Sequence, residues 1–231
     1  MKNYLVIGAS KGIGLSITQN LVKEGHRVFA WSRTSSAELK ELNVTFSPND
    51  VNSTSIDDTL LPDKLDGLVY CPGSINLKPF HRLTQQDFVN DMQINFMGAV
   101  KCIQFTMPRL RLSEAASIIL FSSVAVGSGM TFHSSIAAAK GAVEGLVKSL
   151  SAELAPKIRV NAIAPSLTQT SLSEKFLSSD EKKEAAGKRH PLQRYGTPQD
   201  IAEMAQFLLS DKAGWITGQV MHVDGGMSAI R

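Results

Sequence analysis

Tyrosine is scarce in this chain. Tyr4, Tyr70 and Tyr195 are the whole supply among 231 residues, so a reaction needing a tyrosine proton has three candidates. Cysteine is scarcer. Cys71 and Cys102 stand singly, which suggests neither a disulfide framework nor a metal knuckle, and no metal is expected. No apolar run approaches the ~20 residues that span a bilayer. The net charge of +3 is too small to point to nucleic acid. No Ser/Pro/Gly-rich linker interrupts the chain and no internal repeat is visible. The first residues run into a strand-like stretch, Tyr4-Leu5-Val6-Ile7, without a signal-peptide layout. The expectation is a cytoplasmic protein.

What is present reads as a folded domain, with 43% hydrophobic and 19% charged residues. Short β-branched runs alternate with longer helical patterns. Strands are expected at Tyr4–Ile7, Arg27–Trp31, Val44–Phe46, Asp66–Cys71, Ser117–Phe121, Arg159–Ile163 and Gln219–Val223. Helices are expected at Gly12–Glu24, Gln85–Leu112 and Ser134–Leu154. A last helix opens at Thr197-Pro198-Gln199-Asp200, with Thr197 as N-cap and Pro198 in the first helical position. Strands apolar on both faces, each followed by a helix, imply a parallel sheet covered on both sides. Right-handed crossovers then give an α/β, doubly wound, Rossmann-type sheet of seven strands. One domain over residues 1–231 is the reading. Residues 167–194 are polar and lysine-rich. They are expected either to cover the site as a lid or to form a solvated surface helix pair.

Gly8-Ala9-Ser10-Lys11-Gly12-Ile13-Gly14 joins the first strand to the first helix. Glycines here let the backbone turn tightly and approach a diphosphate at the positive helix N-terminus. The spacing is G-x-x-x-G-x-G. With it stand Asn49-Asp50-Val51, Asn95 in Ile94-Asn95-Phe96-Met97-Gly98, Ser122-Ser123, Lys140 in Ala137-Ala138-Ala139-Lys140-Gly141, and Asn161-Ala162-Ile163-Ala164-Pro165. The ending is Thr217-Gly218-Gln219 followed by Val223-Asp224-Gly225-Gly226. In these features the whole chain resembles the short-chain dehydrogenase/reductase family, closest in look to the 3-oxoacyl carrier-protein reductases.

The resemblance implies a nicotinamide cofactor held by Gly8, Ser10, Lys11, Gly12, Ile13 and Gly14. Asp50 and Val51 would meet the adenine, with Gly73, Lys140, Pro165 and Thr170 on the nicotinamide half. A carboxylate after the second strand would bind the ribose of NAD. Ser32 stands there instead, followed by Arg33 and Thr34. Lys11 and Arg33 suit a 2′-phosphate, so NADP(H) is expected over NAD. Two exposed bases without a ligand are the plain alternative.

The family moves a hydride between nicotinamide and a carbonyl or alcohol carbon. A tyrosine transfers the proton, a lysine four residues later lowers its pKa, a serine orients the substrate oxygen, and an asparagine holds a relay water. Lys140, Ser123 and Asn95 match three of these roles. Ser123 lies 17 residues before Lys140, but the tyrosine position, four before it, is Ile136. His133, one turn earlier, is a possible substitute acid. Other departures are Tyr70-Cys71-Pro72-Gly73 where the family has Asn-Asn-Ala-Gly, and Ser166 where it has glycine. Two functions stay open. One is an oxidoreductase acting on a small carbonyl or alcohol with an atypical proton donor. The other is an NADP(H)-binding protein that has lost the reaction and serves as a sensor or partner subunit. Met130, Phe132, Leu172 and Phe176 would border an apolar substrate pocket or pack in the core. Lys175, Lys182, Lys183, Lys188 and Arg189 could dock an acidic carrier, although Glu174, Asp180, Glu181 and Glu184 offset them. By resemblance a homodimer or homotetramer is expected through the helix carrying Gly141 and Gly145. No nucleic-acid or membrane partner is expected.

Overall fold

The computed structural model describes residues 1–53 and 55–230. Seven strands form one sheet: β1 (Asn3–Ile7), β2 (Arg27–Ser32), β3 (Thr45–Pro48), β4 (Gly67–Tyr70), β5 (Ala116–Phe121), β6 (Ile158–Pro165) and β7 (Val220–Val223). Their order is β3-β2-β1-β4-β5-β6-β7, and every pairing is parallel. The order reverses at β1, so a crevice opens between the carboxyl ends of β1 and β4, where such sheets take their ligands.

Alternation along each strand divides the apolar residues between two faces. Leu5, Ile7, Phe29, Trp31, Leu68 and Ile118 pack on one side. Tyr4, Val6, Val28, Ala30, Val69 and Ile119 pack on the other. The second face is covered by α1 (Gly12–Lys23), through Ile17 and Leu21, and by α8 (Pro198–Leu209), through Ile201, Ala205 and Leu208. The first is covered by α4 (Gly98–Leu110) and α6 (Ser134–Leu154), through Cys102, Ile103, Val143 and Val147. The expected start of α8 is present as a capping box: Thr197 Oγ1 receives the Asp200 backbone N–H, and the Asp200 carboxylate receives the Thr197 N–H.

Several boundaries differ from the sequence reading. The single helix expected over Gln85–Leu112 is three pieces: α3 (Gln85–Met92), a π-helical turn (Gln93–Met97) and α4. The cause lies on β4. The Tyr70 hydroxyl donates to the Ile94 carbonyl at 2.6 Å. It occupies space that a Cβ on Gly98 would enter at 2.2 Å, so this turn widens around the phenol. The third strand runs Thr45–Pro48 rather than Val44–Phe46 and includes Pro48, which an edge strand tolerates. The fourth is confined to Gly67–Tyr70. Asp66 is withdrawn, its carboxylate accepting the Asn3 N–H at 2.9 Å and the Ser113 hydroxyl at 2.8 Å. The sixth extends to Pro165 because β7 pairs with it as far as Val223.

Two short helices, α2 (Ala37–Lys40) and α5 (Val124–Ser128), follow β2 and β5. The expected lid is a 3-10 turn, Glu174–Phe176, and α7 (Asp180–Lys188). Its two ends meet where Thr168 bridges to Gly196.

Candidate active site

The loop after β1 is shaped to let a charged group approach the backbone. Gly8 and Gly12 have φ of +80° and +53°, a region open to glycine. A Cβ on Gly14 would lie 2.2 Å from the Gly8 carbonyl oxygen. α1 begins after Lys11 with no side-chain cap, so its first N–H groups remain available to an anion. Thr170 closes the loop from above, its methyl 3.1 Å from where a Gly12 Cβ would stand. These features fit the diphosphate of a dinucleotide.

At the end of β2, Ser32 is buried and its hydroxyl donates to the Thr34 carbonyl at 2.9 Å. Arg33, Thr34 and Lys11 are exposed. Among the described residues neither cation belongs to an ion pair. Val51 is buried beside Asp50, and Asn49 anchors this turn by exchanging two hydrogen bonds with the Asp57 backbone at 2.9 and 2.8 Å. A purine-ribose end fits this surface.

The other half of the crevice is a cavity of about 680 Å³. Ser123, Ile136, Lys140, His133, Gly73 and Pro165 all border it. Ile136 and Lys140 are one turn apart on α6 and share a face. Both are buried. Lys140 Nζ donates to the Phe121 carbonyl at 2.9 Å, and burial lowers its pKa to about 8. Burial has the opposite effect on the Cys71 thiol beside it, pushed up to about 12. Ser123 caps α5, its Oγ accepting the Ala125 N–H at 3.2 Å. Ser122 donates instead to Glu144, at 2.5 Å. His133 Nδ1 lies 2.7 Å from the Thr131 carbonyl, to which it donates.

None of the tyrosines reaches this wall. Tyr4 lies within the core, Tyr70 is engaged under the π turn, and Tyr195 is not among the cavity residues. Burial raises the pKa of both Tyr4 and Tyr70, so neither phenol gives up its proton easily.

The π turn aims Asn95 at Lys140. Asn95 Nδ2 donates to Ser74 Oγ at 2.9 Å and to the Asp91 carbonyl at 2.8 Å. Its Oδ1 is buried without a partner. A Cβ on Gly73 would sit 3.0 Å from that oxygen and 3.6 Å from Lys140 Nζ. Glycine is needed here so that the two polar groups can face a common space.

Met130, Leu172 and Phe176 border the cavity as expected. Phe132 is corrected: it is exposed, with φ of +68°, and does not line the cavity. Its backbone carbonyl accepts the Lys78 N–H, which holds the loop with the ring turned outward. Of the lid cations, Lys175, Lys182 and Arg189 border the cavity. Lys183 and Lys188 pair along α7 with Asp180 and Glu184.

Two polar residues of this region carry no signal that motif reading detects: Asp91 and His190. Asp91, at 2% exposure, accepts the Ser74 hydroxyl at 2.5 Å. His190 is equally buried. Its Nδ1 donates to the Ala186 carbonyl at 2.8 Å, and its Nε2 lies 2.8 Å from Ser166 Oγ, whose hydroxyl also reaches Met227 Sδ at 2.9 Å. The departure at Ser166 thereby ties the end of β6 to the turn after α7.

A parallel sheet reversing at β1, with a glycine cradle at that crevice, defines a dinucleotide-binding α/β protein. A model described as "Enoyl-(Acyl carrier protein) reductase" matches residues 8–228. The chain is 35% identical to the 3-oxoacyl-[acyl-carrier-protein] reductase FabG of Staphylococcus aureus, over 98% of each. The ligand-free aldohexose dehydrogenase AldT of Thermoplasma acidophilum superposes with a TM-score of 0.90 at 30% identity, covering 100% of this chain and 95% of that one. ElxO with NADP bound superposes with a TM-score of 0.86 at 27% identity, covering 98% and 99%. The chain belongs to the short-chain dehydrogenase/reductase family, a family of hydride-transferring oxidoreductases.

Proposed function

We propose that the protein is an NADP(H)-dependent oxidoreductase that interconverts a carbonyl and an alcohol, with Lys140 supplying the proton that a tyrosine supplies elsewhere in the family. When bound, the nicotinamide supplies or accepts the hydride. Lys11, Arg33 and Ser32 favour the 2′-phosphate, and Gly8, Gly12 and Gly14 admit the diphosphate. Ser123 orients the substrate oxygen.

The observation that carries the reading is the state of Lys140. It borders the cavity, is buried, and has a pKa of about 8, close to the operating pH where an acid is most effective. Ile136 offers no proton and makes the wall beside it apolar. His133, on the same wall, is the rival proton source. The cavity takes an apolar substrate body, and Lys175, Lys182 and Arg189 at the lid suit an anionic end. A 3-oxoacyl thioester combines both, in keeping with the reductase relative.

The test is to follow reduced nicotinamide absorbance with NADPH or NADH and a carbonyl panel that includes acetoacetyl-CoA. Turnover with NADPH, lost in Lys140→Met and kept in His133→Ala, is expected. Loss in His133→Ala alone assigns the donor to His133. The second reading, a binding protein without turnover, rests on the apolar side chain of Ile136 in the cavity wall. It requires NADPH binding with no oxidation of any probe, and activity appearing only in Ile136→Tyr. A homo-oligomer formed through α6 belongs to either reading.

A further inference from the structure

Asp91 is a buried carboxylate in the last turn of α3 that no ion pair neutralises among the described residues. One oxygen accepts the Ser74 hydroxyl, and the other has no partner. Such a group is costly unless it has work to do. Its bonds lead towards Lys140. Because Ser74 gives its only proton to Asp91, Ser74 Oγ can only accept from Asn95, and does so at 2.9 Å. The Asp91 backbone carbonyl takes the other Nδ2 proton at 2.8 Å. Both amide protons of Asn95 are thus committed, which fixes its orientation. Oδ1 must then face the space above Gly73 that Lys140 Nζ also faces. Ser74 and Lys140 border one cavity.

We propose that Asp91, acting through Ser74 and Asn95, is a positioning residue of the reaction: it keeps Lys140 an ammonium inside the apolar wall and turns the Asn95 carbonyl towards it. The inference rests on the reading of Lys140 as proton donor. In reduction, the carbonyl carbon gains the hydride and its oxygen gains one Nζ proton. Lys140 is left a neutral amine and regains a proton from solvent entering the cavity. Asp91 makes the charged form favourable again without itself exchanging a proton.

Other groups around Lys140 do not substitute for it. Cys71 at the end of β4 and Asp91 both act to raise the lysine's pKa against desolvation, Cys71 the more strongly; burial pushes the Cys71 thiol up to about 12, so it carries no charge where Lys140 titrates and leaves Asp91 as the anion. Glu144, on the same helix, receives the Ser122 hydroxyl. From the lid, Lys175, Lys182 and Arg189 bring positive charge to the cavity, which opposes the ammonium. His133 lies at the start of α6 and brings no negative charge.

The experiment uses the whole protein without cofactor, labelled with ¹³Cε-lysine, so that Lys140 is titrated by its NMR shift and assigned by the signal lost in Lys140→Met. In Asp91→Asn its midpoint is expected to fall by roughly one unit, as removal of a nearby opposite charge does. Asp91→Glu is expected to restore it. An unmoved midpoint in folded Asp91→Asn overturns the proposal. Should Asp91→Asn not fold, Ser74→Ala decides: a lowered midpoint supports the linkage and an unmoved one overturns it. A second arm records the pH profile of NADPH oxidation with acetoacetyl-CoA. The alkaline limb of Asp91→Asn should move to lower pH with KM nearly unchanged, so that kcat drops about twofold at neutral pH and roughly tenfold well above pH 8, as the ammonium fraction dictates. A wild-type protein that oxidises no NADPH defeats the functional reading, while the NMR titration still decides the role of Asp91.

Discussion

Burial makes Lys140 expensive to charge, and that cost has a pH signature. Its pKa falls from an ordinary 10.5 to about 8 on folding. Below pH 8 the folded and unfolded chains both hold the proton, and the full penalty applies, about 3 kcal/mol for a shift of this size. As pH rises from 8 to 10.5 the folded state loses the proton before the unfolded state does, so stability increases. Lys140→Met is therefore expected to stabilise the fold at pH 7 by roughly 1–3 kcal/mol, with the gain shrinking towards pH 10. Paired urea unfolding at the two pH values checks this. At the ribose end, Ser32→Asp should weaken NADPH binding and improve NADH binding, as titration calorimetry would show, because a carboxylate repels the 2′-phosphate and accepts from a 2′-hydroxyl. The sequence made Lys140 and Ile136 readable because their spacing on one helix is fixed, and Ser123 because it closes β5 at a set distance before Lys140. Asp91 was invisible: an acid in a polar helical run looks like a solvated face until Ser74 is folded against it.

At the scale of elements, the informative departure is the π turn. Strands and long helices could be read because apolar residues repeat with a period of two or near 3.6. The widening at Gln93–Met97 has no such period. It arises from a phenol reaching in from β4, a contact between residues 24 positions apart. Gly98→Ala would place a Cβ 2.2 Å from the Tyr70 hydroxyl, so it should destabilise by roughly 1–3 kcal/mol and disturb Asn95. Tyr70→Phe removes the clash but leaves the Ile94 carbonyl without its donor. The double variant is expected to recover part of the loss, measurable by thermal unfolding. The capping box of α8 gives a further check. Paired with Arg194, the Asp200 carboxyl is held well below its usual range, so its contribution is present near neutrality and is lost as pH falls through the acidic range. Asp200→Asn should lower the melting temperature at pH 7 and differ little from wild type in strong acid.

Over the whole molecule, the sheet order and the crevice at β1 were legible because parallel strands joined by right-handed crossovers leave few alternatives. The tie of residues 167–194 to β6 through His190 and Ser166 was not legible. Assembly is readable only in outline. A Cβ on Gly145 of α6 would meet nothing within 4 Å, so that side of the helix is open within one chain. Gly145→Arg is expected to leave the monomer folded and to dissociate a dimer or tetramer, seen as a fall in mass by light scattering. A wild type that is already monomeric would contradict an interface on α6.

The central claim is that a lysine, not a tyrosine, protonates the substrate oxygen on an NADPH-dependent scaffold. Its most direct test is the single-turnover oxidation of bound NADPH by a carbonyl probe such as acetoacetyl-CoA, followed across pH. The account predicts a rate that declines above about pH 8, following the Lys140 ammonium, and that vanishes in Lys140→Met. A rate with no break near that pH, or one that survives in Lys140→Met, would contradict it.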